Sequence, residues 1–200
     1  MARPQEFDAS IARDAALRLF WKQGYQATSL SELTEAMEIS RSSFYASFVD
    51  KRGLFRDCLD LFAERTLAWM TQASGTQGPL QSLERFFLLD PAPRAPGEPG
   101  WGCLLINTTL EMASVDEALC AHASDHLTRI EQQMARTLRE AGYDPKTADD
   151  YAGLLMLLLS GVRVAARRTT TPETQHQQIA AAFRLLETAP NRPNAHERPS

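Results

Sequence analysis

An all-α architecture is expected from three features of this 200-residue chain. Apolar residues recur at three- and four-residue spacing along almost its whole length, the pattern of amphipathic helices. No stretch reads as a convincing strand, and no segment repeats. Two breaks punctuate the pattern, SGTQGP at 74–79 and DPAPRAPGEPG at 90–100; the second, with four prolines, cannot be helix. About nine helices result, three short ones packed at the front and a longer bundle behind.

The first helix follows Asp8 as its cap, carries Ile11, Ala15, Ala16, Leu19 and Phe20 as its apolar face, and stops at Gly24. Asp14, Arg18 and Lys22 form a solvated stripe at four-residue spacing. TSLSELTEAM puts Leu30, Leu33 and Met37 on one face of a second helix. After a break of about three residues, ISRSSFYASF (39–48) forms a third. A long amphipathic helix runs from Lys51 to near Ala73, and Leu80–Leu89 makes a short one. Beyond the proline loop come CLLINTTLEMA, then 116–141, 147–168 and 172–188, with Pro172 suited to a first helical turn. The tail 190–200 is too polar and proline-rich to order itself.

Composition narrows the class. A 44% hydrophobic content supports a substantial core. The most apolar run, GLLMLLLSGV, is too short to span a bilayer, and MARPQEFDAS lacks a secretion signal's apolar core. Three widely spaced cysteines, Cys58, Cys103 and Cys120, read as reduced thiols of a cytoplasmic protein. The net charge of −4 falls on residues 58–200, while 1–57 balances eight basic against eight acidic side chains. Only a small, locally cationic surface is left for phosphate, which excludes a nonspecific polyanion binder.

ISRSSFYASF buries two aromatics four residues apart and shows water a row of small hydrogen-bonding side chains. Two short helices joined by a tight turn and braced by a longer one make a helix-turn-helix, whose second helix enters the DNA major groove. Phe44 and Phe48 would then anchor the helix to Leu30, Leu33, Ile11 and Phe20. With Phe44 at zero, Ser42 and Ala46 lie at roughly 160° and 200° around the helix. They face outward and let the helix sit deep, while Arg41 can reach guanine O6 and N7. Ser43, Tyr45 and Ser47 lie at the flanks, where hydroxyls hold phosphates. Arg3 is placed for an adjacent minor groove, or is an idle terminus.

Residues 28–55, TSLSELTEAMEISRSSFYASFVDKRGLF, resemble the DNA-binding signature of the TetR family of bacterial transcriptional regulators. The likeness rests on Thr28, Ser29, Leu30, Leu33, Ala36, Ile39, Ser40, Ser42, Ser43, Phe44, Tyr45, Phe48 and Lys51. Helix count and length extend it over nearly the whole chain. One departure is Glu38, which stands where the family usually has glycine in the turn. The resemblance implies phosphate contacts from Thr28, Ser43, Tyr45 and Lys51, and base reading by Arg41, Ser42 and Ala46. It also implies a helix-turn-helix domain at 1–50 and an effector-binding and dimerisation domain at 51–189.

The back half carries two further candidates. Trp101, Cys103, Asn107 and Glu111 set a thiol, an amide and a carboxylate along an otherwise apolar helix, either lining an effector cavity or serving as core, helix–helix bond and surface charge. Gly102-Cys103 resembles a TetR subgroup with Gly-Cys at the start of the sixth helix, some members of which sense electrophiles. His122 and His126, with Asp125, are spaced to share a metal, but no third ligand stands at a convincing spacing. A solvated pair, no metal and no cofactor are expected.

YAGLLMLLLSGVRVAA is apolar on more than one face, and Gly153, Ser160, Gly161 and Ala165 permit close helix approach. By resemblance, the last two helices build a homodimer. The function implied is a ligand-responsive homodimeric repressor released from an inverted-repeat operator by a small molecule; an activator of the same fold is the alternative. A thiol-dependent enzyme is the contrasting class, and the chain has no Gly-rich phosphate loop, HExxH or GxSxG to support it.

Overall fold

The computed structural model describes residues 8–73, 78–89, 98, 100–167 and 172–188. Among these it forms nine α-helices and no strand: α1 Ala9–Gln23, α2 Leu30–Ala36, α3 Arg41–Ser47, α4 Lys51–Ala73, α5 Pro79–Leu88, α6 Leu104–Met112, α7 Glu117–Glu140, α8 Pro145–Ala165 and α9 Pro172–Thr188. Most of the turn expected at 74–79, most of the proline loop, Arg3 and the tail 190–200 lie outside the described residues. No helix among the described residues is long and apolar enough to cross a membrane.

Chain contacts divide the molecule into two compact units. The first comprises Met1–Glu64 and Cys103–His126, so α1–α3 share a core with the first half of α4, with α6 and with the start of α7. Asp8 caps α1 by accepting the Ser10 N–H at 2.8 Å, and Gly24 ends it at φ 90°. The buried stripe of α1 is Ala12, Ala16, Leu17, Phe20 and Trp21. Ile11, expected as an anchor, is 68% exposed. Trp21 accounts for the difference: its ring meets Phe62 edge-on at 4.9 Å, rotating the buried face by one residue, about 100°. Phe20 packs on Phe55 at 4.8 Å, and Phe44, Leu33, Leu54 and Leu59 are fully buried. Each such side chain contributes about 1.5–3 kcal/mol over exposure.

The second unit comprises Arg65–Gly102 and Leu127–Ser200. Leu80, Leu83, Phe86 and Phe87 form the buried face of α5, and Phe87 meets Phe183 of α9 at 5.3 Å. The α5 C-terminus is closed by a buried arginine: Arg163 donates to the Leu89 carbonyl at 2.7 Å and the Phe86 carbonyl at 3.4 Å. A cation at a helix C-terminus also complements the helix dipole. α8 begins at Pro145, earlier than expected, because Asp144 caps it by accepting the Lys146 and Thr147 N–H groups, each at 3.1 Å. The Asp-Pro pair is the start signal that apolar spacing alone passed over.

Candidate nucleic-acid interface

The α2–α3 element is specified by local hydrogen bonds. Ser29 and Glu32 form a capping box: Glu32 N–H donates to Ser29 Oγ at 3.2 Å, and Ser29 N–H to Glu32 Oε2 at 2.7 Å. At the other end, Ile39 N–H reaches the Thr34 carbonyl and Glu38 N–H the Glu35 carbonyl, each at 3.0 Å. That pair is a Schellman stop. Its left-handed residue is Glu38, at φ 55°, and among the described residues it is the one non-glycine with positive φ. The same hydrogen-bond pattern closes α7 with Gly142 at φ 94°.

Ser40 then caps α3, accepting the Ser43 N–H at 3.0 Å. Its hydroxyl also lies 2.8 Å from Ser42 Oγ and 2.9 Å from Ser43 Oγ, so three hydroxyls share one network. Phe44 is buried and Phe48 nearly so, with rings 5.6 Å apart. Arg41, Ser42, Tyr45, Ala46 and Ser47 are exposed and Ser43 half-buried. Arg41 is held at its guanidinium end, donating from Nη2 to Ser31 Oγ at 2.8 Å. Lys51 opens α4 half-buried, its Nζ 4.3 Å from the centre of the Tyr25 ring. Burial pushes its amine below its ordinary value, against the pull of Glu111 and Glu32.

Thr28 departs from the expected phosphate role. It is 1% exposed, donates from Oγ1 to the Gly24 carbonyl at 2.6 Å and accepts Gln23 Nε2 at 3.2 Å. A hydroxyl so enclosed is committed to the α1–α2 turn. Its burial follows from tertiary packing that a motif match does not display.

Trp101 falls in the second unit; Cys103, Asn107 and Glu111 fall in the first. Cys103 is the buried cap residue of α6, while Trp101 and Asn107 are half-buried. Glu111 is committed elsewhere: its carboxylate accepts the backbone N–H groups of Tyr25 at 3.0 Å and Gln26 at 2.7 Å. It is a link from α6 to the α1–α2 turn. Beside it, Arg52 of α4 makes a two-pronged pair with Asp116, at 2.6 and 3.0 Å. The Arg52 hydrogen bond and the Leu119 N–H hold the Asp116 carboxyl at about 2. The His122–His126 pair is not a solvated one. Both rings contact Asp60 of α4, and His126 is buried. Asp60 lies 62 residues from His122, a separation no local spacing rule covers.

Comparison with known proteins agrees with this geometry. Residues 12–58 match the family model for bacterial regulatory proteins of the tetR family. Residues 98–181 match that of the LmrA/YxaF-like transcriptional regulator C-terminal domain. The HTH-type transcriptional repressor ComR of Escherichia coli K12 is 32% identical over 190 residues, 92% of this chain and 90% of its own. Among solved structures, a cysteine mutant of the TetR family regulator CifR, complexed with 26-base-pair operator DNA, is 28% identical. It covers 91% of this chain and 98% of its own at a TM-score of 0.71. A regulator from Legionella pneumophila shares the fold at a TM-score of 0.76 and 17% identity, over 91% of this chain and 98% of its own. A full-length relative at that identity and an amino-terminal match centred on α1–α3 leave one assignment: the chain belongs to the TetR family of bacterial DNA-binding transcriptional regulators.

Proposed function

We propose that the chain acts as a homodimeric repressor in which two copies of α3 read an inverted-repeat operator and a small-molecule effector releases it. The observation that carries this reading is the division of α3: Phe44 and Phe48 buried on one side, Ser42 and Ala46 exposed on the other, with Arg41 and Tyr45 beside them. Small side chains let the helix enter the groove, Arg41 supplies a forked donor for guanine, and Ser43, Tyr45, Ser47 and Lys51 hold phosphates. Repressor names among the relatives favour repression over activation. Family membership sets aside the thiol-enzyme alternative.

An exposed apolar row on α8 supports the dimer. Leu154, Leu157 and Val164 stand in water on the lone chain, together with Leu185 of α9, and Gly161 has open space where a side chain would be. A two-fold contact through α8 and α9 covers this row and sets the two reading helices about 34–36 Å apart, one turn of DNA. The effector is proposed to bind near Cys103 and Asn107, the buried cap and the following turn of α6. It would favour a state in which the reading helices no longer match that spacing.

Gel retardation on the DNA upstream of the protein's own coding region tests the reading. Lys51→Ala should lower affinity on all sequences and flatten the salt dependence by about one unit of slope. Arg41→Ala should lose about 1–3 kcal/mol on the cognate site and relax preference at one base pair. Retention of scrambled DNA as strong as that of upstream DNA, with no loss in either variant, would exclude α3 as the reading element.

A further inference from the structure

Two helices of the first unit meet at a cluster of three metal-ligating side chains. His122 and His126 are one helical turn apart on α7, so both rings project from one face. Their Nε2 atoms each lie 2.7 Å from the same atom, Asp60 Oδ1 of α4. The ring centres are 4.7 Å apart at 78°, and the three donor atoms all lie within 4.8 Å of one another. The His126 side chain is 7% exposed and that of His122 20%, whereas Asp60 is 42% exposed and leaves one side open to solvent. Burial opposes ionisation of Asp60, but the hydrogen bonds and charge of the two histidines outweigh it and keep the carboxyl below its ordinary value.

We propose that Asp60, His122 and His126 form a binding site for a divalent transition-metal ion, a second input to this regulator beside the small-molecule effector. Two imidazoles and one carboxylate suit a borderline ion such as Zn²⁺, Ni²⁺ or Cu²⁺ and not Mg²⁺ or Ca²⁺, which prefer all-oxygen shells. With bonds of about 2.0–2.2 Å, tetrahedral donors stand about 3.3–3.5 Å apart. The carboxylate therefore has to retreat from each nitrogen by about 0.6–0.8 Å on loading, a movement open to a side chain on the solvent side. The ion replaces the protons that now lie between the nitrogens and the shared oxygen, and water or an outside ligand takes the fourth position.

Position gives the site its consequence. Asp60 lies on the helix whose first residue, Lys51, follows the reading helix, and all three ligands belong to the same compact unit as α3. An ion there would tie α4 to α7 through coordinate bonds at the point where Asp60 now contacts both histidines. That coupling rests on the regulatory reading above, whereas the binding does not.

Tag-free full-length protein, stripped with chelator, is titrated with Co²⁺ and the visible d–d absorption recorded, followed by Zn²⁺ competition and a Mg²⁺ control. One ion per chain with a four-coordinate spectrum is expected. Asp60→Asn and His122→Gln, both at partly exposed positions, should weaken binding at least about tenfold while helicity is unchanged. Cys120→Ser should bind as wild type does. Absence of binding to wild type, or equal binding by Asp60→Asn and His122→Gln, overturns the site. On upstream DNA, Zn²⁺ should change retention of wild type by about fivefold or more and leave Asp60→Asn unaffected. Retention by metal-free protein that Zn²⁺ does not alter overturns the coupling. A protein that retains no DNA with or without Zn²⁺ counts against the regulatory reading instead, with the Co²⁺ spectrum still standing.

Discussion

The Glu111 carboxylate accepts the Gln26 backbone N–H at 2.7 Å, across 85 residues of sequence, and takes the neighbouring Tyr25 N–H as well. The approach depends on Gly24, at φ 90°, where an added Cβ would stand 2.9 Å from Glu111 Oε2. Two charge-assisted bonds thus tie α6 to the turn that positions α2. Glu111→Ala should cost about 1–3 kcal/mol and Glu111→Gln less, since the amide keeps one acceptor. Urea denaturation with an unchanged slope measures this. An alanine variant as stable as wild type would mean that water replaces the carboxylate.

Acid should act through Asp116. Its folded pKa of about 2 lies below the ordinary 3.8, so the Arg52 pair adds stability above the higher value and loses it as pH falls through the lower. Stability of Asp116→Asn should therefore decline less steeply than that of wild type between about pH 4 and pH 2. Denaturant midpoints measured across that window check it, and parallel curves would count against a role for the pair.

Glu38 offers a test of strain against charge. Glu38→Gly should raise stability by about 1 kcal/mol by relieving the left-handed backbone, and should also tighten DNA binding by removing an exposed negative charge near α3. Glu38→Ala removes the same charge but keeps the strain. It should tighten DNA binding without the gain in thermal midpoint. Equal midpoints for Gly and Ala would locate the effect in charge alone.

The dimer proposal is best probed where the lone chain has nothing to lose. Leu157 is 72% exposed, so Leu157→Glu leaves the chain's own core intact while placing a charge at the proposed two-fold contact. Sedimentation equilibrium should report monomer with unchanged helicity, and operator retention should fall. A dimer that survives Leu157→Glu paired with Leu154→Glu would move the interface off this face.

Helix positions and the helix-turn-helix were legible because they rest on local rules. The cap at Asp8, the stop at Gly24 and the Phe44–Phe48 spacing all act within one or two turns. Glu38 stood out as the odd residue in the turn, and its φ of 55° bears out the conformation that made it odd. What escaped was tertiary. Thr28 reads as a surface hydroxyl until Gly24 and Gln23 enclose it. Glu111 reads equally as a cavity carboxylate or a surface charge, and the bonds it makes to the α1–α2 turn are foreseen by neither reading. The His122–His126 pair lacked a third partner because that partner belongs to a different helix. Side chains whose role is to join distant segments carry no periodicity to betray them.

The serine network at the start of α3 has a consequence for selectivity. Between Ser40, Ser42 and Ser43 either oxygen of each pair can be the donor, so each proton can be rotated to suit a neighbour. A hydroxyl of this kind offers a base edge a hydrogen when it meets an acceptor and a lone pair when it meets a donor. Such a group is ambivalent and discriminates little. An operator read by this helix would therefore be strict opposite Arg41, whose guanidinium only donates, and permissive opposite Ser42. Many related sites would then be bound with graded strength, and a single chain could govern several promoters at different thresholds.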